Sequence, residues 1–206
     1  MSQTSRLQKK LEICFEKKEY YEAHQIYRTL FYRLSSSGHF DELLVLLEKG
    51  CLRLIDVNEI GSAYDLAEVF SECLQKGAVP ITTQRLDSIV EIFSRLPSRM
   101  TNDQSVADGK DRRTKFIANC VKWSQEVSTR PSHCARGIPS LHSRFAHILW
   151  NEKSMEMSRA HFMLSDEPEK FASFLVDWHT NTSVEVDADM WITQAILQVS
   201  YHSILF

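Results

Sequence analysis

Apolar residues along this chain return every three or four positions, the spacing of one face of an α-helix. Leu7, Leu11, Cys14 and Phe15 mark a first helix, and Ala23, Tyr27, Leu30, Phe31 and Leu34 a second. Ser35-Ser36-Ser37-Gly38 interrupts the pattern. Phe40, Leu43, Leu44, Leu47, Cys51, Leu54 and Ile55 resume it. Ile60, Ala63, Tyr64, Ala67, Phe70 and Leu74 mark a fourth helix, closed by Gly77 and Pro80. Leu86, Ile89, Val90, Phe93 and Leu96 mark a fifth, stopped by Pro97. Further runs are centred on Phe116-Cys120-Trp123-Val127, Leu141-Phe145-Ile148-Leu149, Met155-Ser158-Phe162-Ser165 and Phe171-Phe174-Leu175-Trp178. Met190, Trp191, Ala195, Ile196 and Val199 mark the last. No stretch alternates with period two, so no sheet is predicted. Two stretches lack the pattern: Ser98 to Asp111, read as a solvated polar loop, and Ser128 to Pro139.

About ten helices with short joins predict antiparallel helical pairs stacked as an all-α solenoid. The expected organisation is one solenoid over residues 1–206: helical pairs in 1–97, a polar loop at 98–110, and further pairs in 111–206. The second helix shows the packing logic. Ala23, Tyr27 at +4 and Leu30 at +7 share a face, the small residue admitting a neighbouring helix and the aromatic filling the groove beside it. Lys18 to Ala23 parallels Gly38 to Leu43, an internal repeat. Tetratricopeptide arrays keep a period of about 34 residues, which this chain lacks, so it reads as a degenerate relative.

Composition narrows the function classes. The chain is 43% apolar and 25% charged, with six glycines and five prolines, values that suit a helical globular protein. A net charge of −3 argues against nucleic-acid binding, which needs a basic surface. Charge is uneven, however. Residues 1–33 hold seven basic against four acidic residues, and residues 151–206 three against nine. The basic start suits an acidic partner surface or a plainly solvated face. No apolar run is long enough to span a membrane, and no secretory signal opens the chain. Cys14, Cys51, Cys73, Cys120 and Cys134 form no framework and read as reduced thiols of a cytosolic protein, mostly buried.

No catalytic constellation emerges. Gly50, Gly61 and Gly77 read as isolated helix-end or join residues and build no phosphate loop. The histidines lack the spaced partners of a zinc site, so no metal or cofactor is expected. His24 and His161 read as structural histidines, and Trp150, Trp178 and Trp191 as interhelical core. Glu167 and Glu169 read as helix-start carboxylates. A cysteine hydrolase using Cys134 and a histidine is the remote alternative. With Ala23, Tyr27 and Leu30 turned inward, Tyr21, Gln25, Arg28 and Tyr32 face outward, residue types enriched where proteins bind one another.

Tyr20-Tyr21-Glu22-Ala23-His24-Gln25-Ile26-Tyr27-Arg28-Thr29-Leu30-Phe31 resembles the signature helix of a known family, the factor-four family of the guided entry of tail-anchored proteins pathway (Golgi-to-ER traffic protein four). Collinear matches follow at Ser62-Ala63, Asp65-Leu66, Lys122-Trp123-Ser124, Leu141-His142, Leu149-Trp150, Ser158-Arg159, His161-Phe162, Asp189-Met190 and Gln194 to Gln198. The resemblance implies a cytosolic, non-enzymatic α-solenoid that serves the delivery of tail-anchored membrane proteins to the ER. Its N-terminal helices would dock the targeting ATPase, with Tyr21, His24, Gln25 and Arg28 on the docking face and Asp65 at its edge. The family's C-terminal helices and β-hairpin hold a ubiquitin-like adaptor, which recruits a tetratricopeptide co-chaperone, and in animals the complex joins a BAG-domain scaffold. Beyond Gln198 this chain departs from the family and stops at Phe206, so the family's C-terminal third is expected to be missing. The alternative of the same class is a helical-repeat scaffold subunit of another cytosolic assembly.

Overall fold

The computed structural model describes residues 3–98 and 106–181, together with positions 192, 193, 196 and 197. The described residues form ten helices and no strand. They fall into two compact units, Met1–Val127 and Ser128–Phe206. The first holds α1 (Gln3–Glu16), α2 (Tyr20–Ser36), α3 (Phe40–Asp56), α4 (Ile60–Lys76), α5 (Thr83–Arg95) and α6 (Val106–Val127). The second holds α7 (Pro131–Arg136), α8 (Pro139–Asn151), α9 (Met155–Phe162) and α10 (Pro168–Asn181).

A recurring joint organises the first unit. Lys18, Gly38, Asn58 and Ala78, spaced twenty residues apart, all take positive φ (59°, 76°, 61° and 42°). A left-handed residue just past a helix end turns the chain back, so the next amide reaches the carbonyl five residues earlier, the Schellman arrangement. Here Glu19 N–H donates to Cys14 O at 2.8 Å, His39 to Leu34 O at 3.0 Å, Glu59 to Leu54 O at 2.8 Å and Val79 to Leu74 O at 3.2 Å. After the first three joints the next helix starts at once, without a side-chain cap. Helices α2, α3 and α4 are therefore each 17 residues long and in register. Equivalent positions are buried in all three: Ala23, Leu43 and Ala63; Tyr27, Leu47 and Ala67; Leu30, Gly50 and Phe70; Phe31, Cys51 and Ser71; Leu34, Leu54 and Leu74.

Side-chain bonds show how the helices lie. Glu12 of α1 meets Arg53 of α3 at 2.7 Å, and Arg53 lies 3.7 Å from the centre of the Phe15 ring. Asp41 and Glu48 of α3 meet Arg85 and Ser88 of α5, both at 2.7 Å. Asp65 of α4 meets α2, and Glu68 of α4 meets α6. The sequence offset of these bonds stays between 37 and 47 residues. Next-but-one helices therefore run parallel, side by side. Two rows result, α1-α3-α5 and α2-α4-α6, with the apolar positions between them.

One contact between the rows needs a missing side chain. A Cβ on Gly50 would lie 2.5, 2.6 and 2.9 Å from three carbons of the Tyr27 ring. Gly50 is no helix-end residue, as its type alone suggests; it sits inside α3, where the absent methyl seats the tyrosine. Trp123 is fully buried in α6 and donates to Val79 O at 2.9 Å, tying α6 to the joint after α4. Arg113, also buried, stacks 4.2 Å from the Phe93 ring centre and donates to Phe93 O.

Two loop expectations are corrected. The stretch expected to be a loop from Ser98 to Asp111 already enters α6 at Val106, while residues 99–105 lie outside the described residues. The first turn of α6 carries no strong apolar period, so periodicity first registers at Phe116. In Ser128 to Pro139, α7 starts on Pro131 and α8 on Pro139. Proline is well suited to the first helical position, where its missing N–H costs nothing. The last expected helix lies outside the described residues apart from positions 192, 193, 196 and 197, and so does Trp191.

The second unit is built on aromatic packing. Phe162, Phe171 and Phe174 are buried with Ala146, and Trp150 and Trp178 close the cluster from the side. Trp150 donates to Asp177 at 2.6 Å, joining α8 to α10. Lys153 (φ 61°) repeats the joint of the first unit, with Ser154 N–H on Leu149 O at 2.8 Å.

Gly50→Ala is expected to destabilise the chain by about 1–3 kcal/mol, because overpacking against the Tyr27 ring outweighs the better helix propensity of alanine. Gly61→Ala, with nothing within 4 Å of the new methyl, should leave urea denaturation unchanged or slightly improved. Lys18→Gly and Lys153→Gly, which relieve a left-handed backbone, should each stabilise by about 0.5–1 kcal/mol in the same measurement.

Candidate functional site

Tyr21, His24, Gln25 and Arg28 occupy one stripe of α2, at relative positions 0, +3, +4 and +7. The buried set of α2, from Ala23 to Leu34, holds the opposite side against the core, so this stripe is turned away from it. Tyr21 is 71% exposed and Tyr32, three turns along, is 59% exposed.

Asp65 of α4 draws the polar members of the stripe together. Arg28 donates to both carboxylate oxygens at 3.2 Å, and His24 Nε2 donates to Oδ2 at 2.7 Å. Gln25 Nε2 lies 3.3 Å from His24 Nδ1. Four of the five sequence candidates thus form one hydrogen-bonded array, Gln25 to His24 to Asp65 with Arg28. Tyr21 stands beside it with its ring in solvent.

The array continues where periodicity alone gave no reason to look. Asp65, Glu68 and Glu72 form an acidic stripe on α4 at spacings of three and four. On its other side α6 supplies Arg112 at 3.2 Å and Lys115 at 3.1 Å to the two oxygens of Glu68. Asn119 donates to Ser71 Oγ at 3.1 Å, and Gln75 to Asn119 O at 3.0 Å. The α2-α4-α6 row therefore presents an acidic strip bordered on both sides by cationic groups. The carboxylate spacing on α4 is the available signal; which helices flank it is not visible in the sequence.

The cysteines and histidines bear on the chemical alternatives. Cys14, Cys51, Cys73 and Cys120 are buried and Cys134 is exposed. Burial pushes the thiols of Cys51 and Cys73 up to about 12 and raises that of Cys120 as well, so all three stay protonated near neutrality. Cys134 Sγ donates to Ser128 O at 3.1 Å, whereas His142 bonds to the Arg136 carbonyl and to His161. Glu167, just ahead of α10, accepts from His147 at 2.6 Å, a bond that lowers its carboxyl below the usual range. Among the described residues, no group of three or more His, Cys, Asp or Glu side chains could hold a metal ion.

The family model described as Golgi to ER traffic protein 4 matches residues 37–203. The chain belongs to this family. The human Golgi to ER traffic protein 4 homolog is 33% identical over 193 residues, covering 94% of this chain and 54% of the human protein. The Gallus gallus homolog is 30% identical over the same length, with 52% of that protein covered. The chain spans about half the length of the curated relatives it matches. A solved structure titled as Get4 of C. therm. superposes with a TM-score of 0.77, covering 96% of this chain and 60% of that one. At 19% identity that likeness establishes the shared all-α fold.

Within this Golgi to ER traffic protein 4 family chain the Arg28–Asp65 pair is about one-third exposed on both partners. Pairs this open contribute about 0–1 kcal/mol. Arg28→Ala should therefore lower the unfolding free energy measured by urea denaturation by no more than that, with unchanged far-UV circular dichroism. A larger loss would mean that the array holds the fold together.

Proposed function

We propose that this chain is a non-enzymatic scaffold of the cytosol that serves post-translational delivery of tail-anchored membrane proteins to the ER. It docks the pathway's targeting ATPase on the outer face of α2 and the adjoining edge of α4. Membership of the Golgi to ER traffic protein 4 family supports the pathway. The observation that carries the docking face is the Gln25–His24–Asp65–Arg28 array with Tyr21 exposed beside it.

The physical argument is preorganisation. A long side chain free in water loses rotamer entropy when a partner fixes it, at about 0.5–1.5 kcal/mol each. Asp65 has already fixed Arg28 and His24, so that cost falls on folding and not on docking. Tyr21 adds a large ring with few torsions to lose, a property of side chains that dominate binding energy. No described helix is long and apolar enough to cross a membrane, which suits a role beside the targeting machinery and outside the bilayer. The family resemblance assigns the ubiquitin-like adaptor and the BAG-domain scaffold to the family's C-terminal helices. The face proposed here lies wholly in α2 and α4 and needs neither.

Arg28→Glu combined with Tyr21→Ala should weaken binding of the targeting ATPase at least tenfold, about 1.4 kcal/mol, with unchanged helicity. Calorimetric titration with and without nucleotide measures this. Undiminished affinity of the double variant would remove the α2 face from the proposal.

A further inference from the structure

The second unit holds two histidines that the docking face does not use. His142 of α8 is buried, and its Nε2 lies 2.8 Å from the Arg136 carbonyl of α7. A carbonyl only accepts, so Nε2 carries the hydrogen, and in the neutral ring Nδ1 is left bare. That bare nitrogen lies 2.8 Å from Nδ1 of His161 on α9. His161 must therefore donate from Nδ1. One N–H serves both rings, and each tautomer is fixed by geometry.

We propose that His142 and His161 form a proton-sensitive latch between α8 and α9, closed while the two rings share a single N–H and opened as protons are added. A proton entering at Nε2 of His161 keeps the bridge but sets a charge against the Phe145 ring. The next must enter at Nδ1 of His142, where two N–H groups would then oppose each other across 2.8 Å. One ring has to leave, and α9 leaves with it.

The surroundings favour the neutral pair. Phe145 of α8 packs on the His161 ring with centroids 5.6 Å apart. Of the charged groups on α9 and just ahead of α10, Arg159 lies over the Trp178 ring and Glu167 accepts from His147. Burial takes His161 down to about 3, with the charge of His142 adding to the effect, and burial also lowers His142 despite its bond to the Arg136 carbonyl. Free histidines titrate near 6.5. The closed latch thus binds fewer protons than the open one below that value. Its contribution is fully present above about pH 6.5 and is lost as the pH falls.

The test uses the full chain. Side-chain nitrogen spectra at pH 7.5 should show His142 as the Nε2–H tautomer and His161 as the Nδ1–H tautomer. Hydrogen-exchange protection of α9 amides, corrected for intrinsic rate, should fall by more than tenfold between pH 7.5 and 5.5, while α3 amides hold theirs. His161→Asn places an amide donor near the position of Nδ1 but cannot titrate, so its loss should be smaller, no more than about tenfold. An imidazolium signal from either ring at pH 7.5, equal losses in α3 and α9, or an unchanged slope in His161→Asn would each overturn the latch.

Discussion

A single left-handed residue at the end of each of the first four helices sets the geometry of the first unit. The backbone of Lys18, Gly38, Asn58 and Ala78 turns over within one residue, and the next amide closes a hydrogen bond on a carbonyl of the previous helix. Because that carbonyl belongs to Cys14, Leu34, Leu54 or Leu74, each joint is closed against a buried side chain. The backbone cost of a left-handed lysine, asparagine or alanine is accepted at three of the four joints; glycine avoids it at the fourth. In exchange, successive helices keep one length and one register. Side chains twenty residues apart become equivalent and those about forty apart become neighbours, which is why the bonds between parallel helices repeat along the stack.

Much of this was legible in the order of apolar residues. The nine helices expected within the described residues are all present, because each buries a full stripe and a stripe of period near 3.6 has no competing interpretation. The parallel between Lys18–Ala23 and Gly38–Leu43 already contained the twenty-residue repeat. It passed unnoticed as a period because the comparison was with a longer repeat unit, one that counts two helices. The start of α6 and the short α7 were missed for the opposite reason: neither opens with a stripe. Gly50 was misjudged because a sequence cannot show that a ring on another helix occupies the place of the missing methyl.

The outward stripe of α2 was also legible, since fixing Ala23, Tyr27 and Leu30 inside fixes Tyr21 and Arg28 outside. Asp65 entered only through a resemblance, and its bonds to His24 and Arg28 cross from α4 to α2, a distance no local spacing encodes. The same holds for Arg112 and Lys115 on Glu68. His161 reads as structural in the sequence. Its partner could not be named in advance, because the nineteen residues from His142 include a turn whose geometry decides whether the rings meet.

The joints of the first unit leave almost no slack. Between α1 and α2, α2 and α3, and α3 and α4, only three residues separate one helix from the next, and they are already bonded to the preceding turn. A protease needs several residues drawn out as an extended thread before it can cut. Up to Val79 the described backbone offers no such thread, so cleavage there must wait for a helix to come undone; the first stretch outside helix and joint is Pro80 to Thr82.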